Sequence, residues 1–260
     1  MAEMLFYKPH GPDLAQELLR LSCLEAVCAE TGQAITAPVL GVDAEKRRIA
    51  YQRLERLQRL SLQAGQSVQR FRDLGALIAG LHQARPAMLS AVQRDLDWER
   101  SQLQRAGIGV RDAEQLLEAF PAGFAHGDLW HGNILLQDGQ WVVLDPIPSG
   151  EILKRVELHA SGVFDLASLH MSLFVRRPLR EFFSKTGLIS SAYGEALLSG
   201  YLDSADAKWA RASVLQLSRS LAQQWRMAYR QRLSFPVALA KGLMFDREFN
   251  GFYASEQDAP

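Results

Sequence analysis

Apolar and polar positions change period along the chain, and those changes predict its elements. Met4-Leu-Phe-Tyr-Lys-Pro9 reads as a short strand, stopped by Pro9 and the His10-Gly-Pro12 turn. Asp13 is placed to cap a helix whose Leu14, Leu18, Leu21 and Cys28 share one 3.6-residue face, and Gly32 ends it. Ala37–Val42 and Arg48–Leu54 predict two strands joined by the polar turn Asp43–Lys46. The first 55 or so residues thus read as strand, helix and hairpin. Leu54, Leu57, Leu60 and Leu62 keep no single period, and the stretch from 55 to 68 reads as a connection between two lobes.

Helical spacing then takes over. Phe71, Leu74, Leu77, Ile78, Leu81 and His82 form one stripe, and further helical patterns cover 88–105 and 111–119, separated by Gly107-Ile-Gly109. Gly132–Leu136 and Gln140–Leu144 are strand-like and flank the turn Gln137-Asp-Gly139, which predicts a hairpin. An irregular stretch follows to about residue 162, and helices are expected at 163–174, 188–202 and 207–231. The polar tail after about residue 247 is expected to fray. The expected class is α+β: a small mixed segment (1–55) followed by a mostly helical body (56–260) that carries one hairpin.

Composition narrows this picture modestly. The 260 residues carry 29 basic and 29 acidic side chains, so no broad polyanion-binding surface is implied and no nucleic-acid partner is expected. No stretch approaches the ~20 apolar residues of a membrane span, and the start lacks a secretory pattern, so a cytoplasmic protein without a membrane partner is expected. The two cysteines, Cys23 and Cys28, are not spaced as a redox pair and read as buried thiols.

The densest chemistry lies at the hairpin. His126-Gly-Asp-Leu-Trp-His-Gly-Asn133 precedes its first strand and Asp145 follows its second. A hairpin returns its second strand to the start of its first, which brings Asp145 near Asn133. A carboxylate and an amide oxygen are hard donors suited to Mg²⁺ beside phosphates. Asp128 would orient and deprotonate an acceptor hydroxyl, and His126 would brace the turn through its imidazole. Phosphoryl transfer needs this combination of charge neutralisation and in-line positioning.

The run H-G-D-L-W-H-G-N-I-L-L followed by V-V-L-D-P resembles the catalytic segment of the aminoglycoside phosphotransferase family, and also that of choline and fructosamine kinases. Its Asp-Pro step is similar to the streptomycin and hydroxyurea-type antibiotic kinases. Phe164-Asp-Leu-Ala167 and Leu74–His82 extend the likeness, which covers roughly residues 5–202. The resemblance implies a protein-kinase-like two-lobe fold with a truncated N-terminal lobe. It implies Asp128 as catalytic base, His126 as its support, and Asn133 and Asp145 as metal ligands. Asp165 would tie its helix to the loop. The implied cofactors are Mg²⁺ and ATP, with GTP as the alternative. The implied partner is a small hydroxylated metabolite or aminoglycoside-like compound.

In the same resemblance Lys8 matches the lysine that contacts the nucleotide phosphates. Glu25, read as central to the apolar face of its helix, is its expected carboxylate partner, with Glu17 as the rival. Tyr51–Leu54 would approach the hinge that binds the base. The family places two strands and a phosphate-covering loop before this lysine. Seven residues precede Lys8 here, and no G-x-G-x-x-G occurs. A catalytically weak, kinase-like binding or regulatory module therefore stands as the alternative to an enzyme. Val214, Leu217, Leu221, Trp225 and Ala228 form a stripe expected to pack in the core, leaving Arg211, Arg219, Arg226, Arg230 and Arg232 as a basic but solvated group.

Overall fold

The computed structural model describes residues 5–10, 13–60, 67–120, 122–146, 158–175 and 189–230. The turn at 11–12, the stretch 61–66, the loop through Ser149–Val156, Arg232 and the tail after 247 lie outside them. Strand β1 (Leu5–Pro9) leads to helix α1 (Leu14–Thr31). The Asp13 carboxylate accepts the Gln16 N–H at 3.0 Å, and Gly32 closes the helix in the left-handed conformation, φ 64°. Strands β3 (Val39–Asp43) and β4 (Arg48–Gln52) form the expected hairpin. β1 pairs antiparallel with β4, giving a three-stranded sheet of order β1-β4-β3, with Phe6 opposite Tyr51 and Lys8 opposite Ile49.

Helix α1 joins two cores. Leu14, Leu18 and Leu21 pack beneath this sheet with Ile49 and Tyr51, whereas Cys23, Leu24, Val27 and Cys28 enter the main core. Burial raises the Cys23 thiol pKa to about 11 and that of Cys28 to about 12.

A second sheet has the order β2-β8-β7-β5. The hairpin predicted around Gln137-Asp-Gly139 is its centre, as β7 (Ile134–Gln137) and β8 (Gln140–Val143). Two short strands flank it: β2 (Ala34–Ile35) parallel to β8, and β5 (Gln58–Arg59) antiparallel to β7. Each is two residues long and carries no alternation that sequence could show. A third pair, β6 (Ala122–Phe124) with β9 (His159–Ser161), was likewise not expected.

The helical body contains α2 (Val68–Gln83), α3 (Leu96–Arg105), α4 (Val110–Ala119), α5 (Val163–Val175), α6 (Ile189–Ser204) and α7 (Arg211–Arg230). The pattern over 88–105 is not one helix. A 3-10 turn at Ala87–Ala91 ends before α3, whose start is set by the Asp95 carboxylate accepting the Trp98 N–H at 2.9 Å. Val214, Leu217, Leu221 and Trp225 are buried as expected, and α5, shielded on all sides, buries every described residue. Among the described residues no helix is long and apolar enough to cross a membrane.

Candidate active site

The polar loop 125–133 runs between β6 and β7, and its backbone is held by one carboxylate. Asp165, in the first turn of α5 and fully buried, accepts the N–H of His126 at 2.5 Å and of Gly127 at 2.9 Å. His82, near the end of α2, lies 3.3 Å from the same carboxylate. Burial opposes the charged form of Asp165, but the hydrogen bonds it accepts from His82 and from the Gly127 N–H keep its pKa below the usual carboxylate range. Asp165 thus anchors the loop to the helical core, as the resemblance implied.

His126 acts inside the loop. Its Nδ1 accepts the Asp128 N–H at 3.3 Å, so the other ring nitrogen, Nε2, donates to the Leu144 carbonyl at 2.8 Å. One imidazole thereby ties Asp128 to the residue before Asp145. Burial holds the His126 pKa below the usual histidine range, against the attraction of Asp165, the Leu144 carbonyl, Asp128 and Asp145, which favours the neutral ring this arrangement requires.

Asn133 donates its side-chain N–H to the Asp128 carbonyl at 2.9 Å, which leaves its Oδ1 as the acceptor end of the amide. Its own carbonyl accepts the Leu144 N–H at 3.0 Å, so the end of β8 lies beside it. Asp145 follows at once, with φ 56°, a left-handed conformation uncommon for a residue with a side chain. Gly132 is required by contact: a Cβ there would lie 2.1 Å from the Trp130 ring. The adjacent His131 is held by Ser172 of α5, whose hydroxyl accepts the His131 N–H at 3.0 Å and lies 3.2 Å from its Nδ1.

Lys8 reaches this loop from the small sheet. Its Nζ lies 2.7 Å from Asp145 Oδ1, with both side chains about one-third exposed. The pair lines a cavity of about 340 Å³ between the small sheet and the end of the hairpin, bounded also by Phe6, Tyr51, Leu54 and Leu144. That is the size range of small-ligand sites.

Glu25 does not take the expected place. It is exposed, because that part of α1 has passed beyond the small sheet and turns only Cys23, Leu24, Val27 and Cys28 inward. The buried carboxylate is Glu17, one of the residues under the sheet, and its charge joins that of Asp145 in raising the Tyr51 pKa, with burial the larger cause. The lysine's ion pair is with Asp145 rather than with Glu25.

The oxygen donors fit a hard divalent cation. Among the described residues no cluster of three or more His, Cys, Asp and Glu forms a metal cage. One Asp and one Asn beside a cleft instead match Mg²⁺, which retains waters and shares its coordination with substrate phosphates.

Sequence reasoning passed over three participants. Phe6 was read only as strand, His82 only as part of a helix similar to the family's, and Tyr201, which contacts His82, carried no local signal at all.

A small antiparallel sheet with one helix, a loop and hairpin at a cleft, and a helical body behind them define the protein-kinase-like fold in the form found in small-molecule kinases. No protein-family model and no curated protein matches the chain. Among solved structures it is similar to a glucosamine kinase in complex with glucosamine, ADP and inorganic phosphate, at TM-score 0.60 and 17% identity over 100% of this chain and 79% of that one. It is also similar to an amicoumacin kinase in complex with AMP-PNP and Ca²⁺ (TM-score 0.55, 13% identity, 96% of this chain and 80% of that one). A third likeness is to an AMP-bound spectinomycin phosphotransferase (TM-score 0.51, 12% identity, 98% and 89%). At such identities the likeness establishes the fold.

Proposed function

We propose that this chain is a phosphotransferase that moves the γ-phosphate of a nucleoside triphosphate, ATP or GTP, to a hydroxyl of a small polar metabolite or aminoglycoside-like compound. The observation that carries this reading is the approach of Lys8 to Asp145 in the lining of the cleft, beside the loop that presents Asp128. The base would occupy the cavity against the Phe6 ring and the backbone of Gln52–Leu54, the purine end of a site whose phosphate end is Lys8. Asn133 Oδ1 and Asp145 would hold Mg²⁺, which supplies charge neutralisation for the transferred group. Lys8 would leave Asp145 for the nucleotide phosphates. Asp128, oriented by the His126 and Asn133 contacts, would align the acceptor hydroxyl and take its proton. Lobes divided near residue 55 would then meet at this cleft. The glucosamine, amicoumacin and spectinomycin kinases support a small-molecule acceptor by their fold.

A screen of hydroxylated metabolites with Mg-ATP and Mg-GTP tests the proposal, with Asp128→Ala and Asp145→Ala as controls. Transfer undiminished by Asp128→Ala would defeat the assignment.

The second reading, a weakly active kinase-like binding or regulatory module, has one observation in its favour. In the described sheet β1 is an edge strand, with Leu5, Phe6 and Tyr7 exposed where a phosphate-covering element would lie. Nucleotide binding without turnover on any acceptor in the same screen favours it.

A further inference from the structure

The Asp165 carboxylate that holds the loop is itself held from behind. His82 places Nε2 3.3 Å from Asp165 Oδ2 and Nδ1 2.8 Å from the hydroxyl of Tyr201, on α6. All three side chains are buried, with Tyr201 at 2% exposure, and the Tyr201 ring packs against Phe120. The hydrogen positions follow from the acceptors. A carboxylate accepts only, so the ring nitrogen facing Asp165 bears the proton. In the neutral imidazole Nδ1 is then a lone pair, and the Tyr201 hydroxyl is its donor. Burial, followed by the nearby Asp165 charge, raises the Tyr201 pKa and keeps that proton on the phenol. The Gly162 backbone passes close to the pair: a Cβ there would lie 2.2 Å from His82 Nδ1 and 2.8 Å from the Tyr201 hydroxyl.

We infer that Tyr201 is a positioning residue for the loop carrying Asp128. By donating to His82 Nδ1 it fixes the tilt of the imidazole whose Nε2–H is aimed at Asp165, and Asp165 in turn holds the N–H groups of His126 and Gly127. The chain of contacts runs from α6 through α2 and α5 to the loop, and touches neither the nucleotide cleft nor Asp128 directly. A cavity of about 210 Å³ borders Tyr201 and His82, so water can reach Nδ1 once the hydroxyl is removed. Water donates or accepts with equal ease. It therefore satisfies the nitrogen without fixing the tilt of the ring, and the Asp165 carboxylate loses its fixed partner.

The kinetic side of this inference rests on the phosphotransfer reading; the spectroscopic side does not. Long-range ¹H–¹⁵N spectra of the histidine-labelled full chain should show His82 as the Nε2–H tautomer in the wild type, with Nδ1 at the shift of a nitrogen accepting a hydrogen bond, and a displaced or broadened Nδ1 signal in Tyr201→Phe. Phosphate release from Mg-ATP should fall on the order of tenfold in kcat in Tyr201→Phe, with KM for the nucleotide unchanged, the usual size of an effect exerted through an orienting partner. In a His82→Gln background, where no imidazole remains to be oriented, Tyr201→Phe should have no further effect on kcat. An Nδ1–H tautomer in the wild type overturns the inference, as does a Tyr201→Phe protein with unaltered His82 signals and kcat. Should Tyr201→Phe fail to fold, the wild-type spectrum still decides, because an Nδ1 shift without an accepted hydrogen bond overturns the inference. A wild type inert towards Mg-ATP counts against phosphotransfer, while the spectra continue to test Tyr201.

Discussion

Lys8 Nζ lies 2.7 Å from Asp145 Oδ1, so the edge strand β1 of the small sheet is tied to the residue that follows the hairpin. Both groups are partly exposed, and such a pair contributes only about 0–1 kcal/mol to folding. Lys8→Met is therefore expected to change urea-unfolding stability by less than about 1 kcal/mol. Calorimetric titration should show nucleotide affinity weakened roughly tenfold or more, as expected when a charge-assisted phosphate contact is lost.

Asp128→Asn keeps the shape of the side chain and removes its basicity. Transfer to an acceptor should fall by about 10²–10⁴-fold in kcat, the range of a general base, with nucleotide affinity nearly unchanged. Steady-state kinetics with the acceptor found by screening provide the measurement.

Asp165→Ala would leave the N–H groups of His126, Gly127 and His82 without their buried acceptor. Each such orphan costs about 1–3 kcal/mol, so a loss of roughly 3–5 kcal/mol is expected in urea unfolding, with partial local relaxation.

Two buried histidines make stability fall in mild acid. Burial lowers the His126 pKa, and it lowers that of His170 from 6.5 to about 3 with the Arg211 charge acting in the same direction. The unfolded chain binds these protons at higher pH than the folded one, so the stabilisation is complete above about pH 6.5 and is lost as pH falls towards the folded values. Asp165, also lowered, adds a further loss below its ordinary value of 3.8. Unfolding free energy measured between pH 8 and 4 should decline, and His170→Asn should flatten the decline relative to the wild type.

Gly132→Ala should displace Trp130 from the loop. Overpacking of this kind costs about 1–3 kcal/mol. A shifted tryptophan emission together with reduced transfer is expected; unaltered emission would count against the packing described.

Much of the architecture was legible because it is written in local patterns. The α2 stripe from Phe71 to His82, the Asp13 cap, the Gly32 stop and the hairpin around Asp138-Gly139 depend on periodicity and turn chemistry within a few residues. The two-residue strands β2 and β5 were not legible, because their partners are remote and two residues carry no period. Glu25 was misplaced for a related reason: a helical wheel assigns one face to a whole helix, whereas α1 leaves the small sheet and enters the main core partway along.

The candidate site divides along the same line. Sequence by itself determined the loop from His126 to Asn133 and the position of Asp145, since a tight hairpin leaves little choice about which residues meet at its open end. Tertiary structure alone decided that Lys8 pairs with Asp145 rather than with a carboxylate of α1, and that Tyr201 and His82 stand behind Asp165. Those contacts join segments far apart in sequence. They are set by how helices and sheet pack around a shared core, which no local spacing encodes.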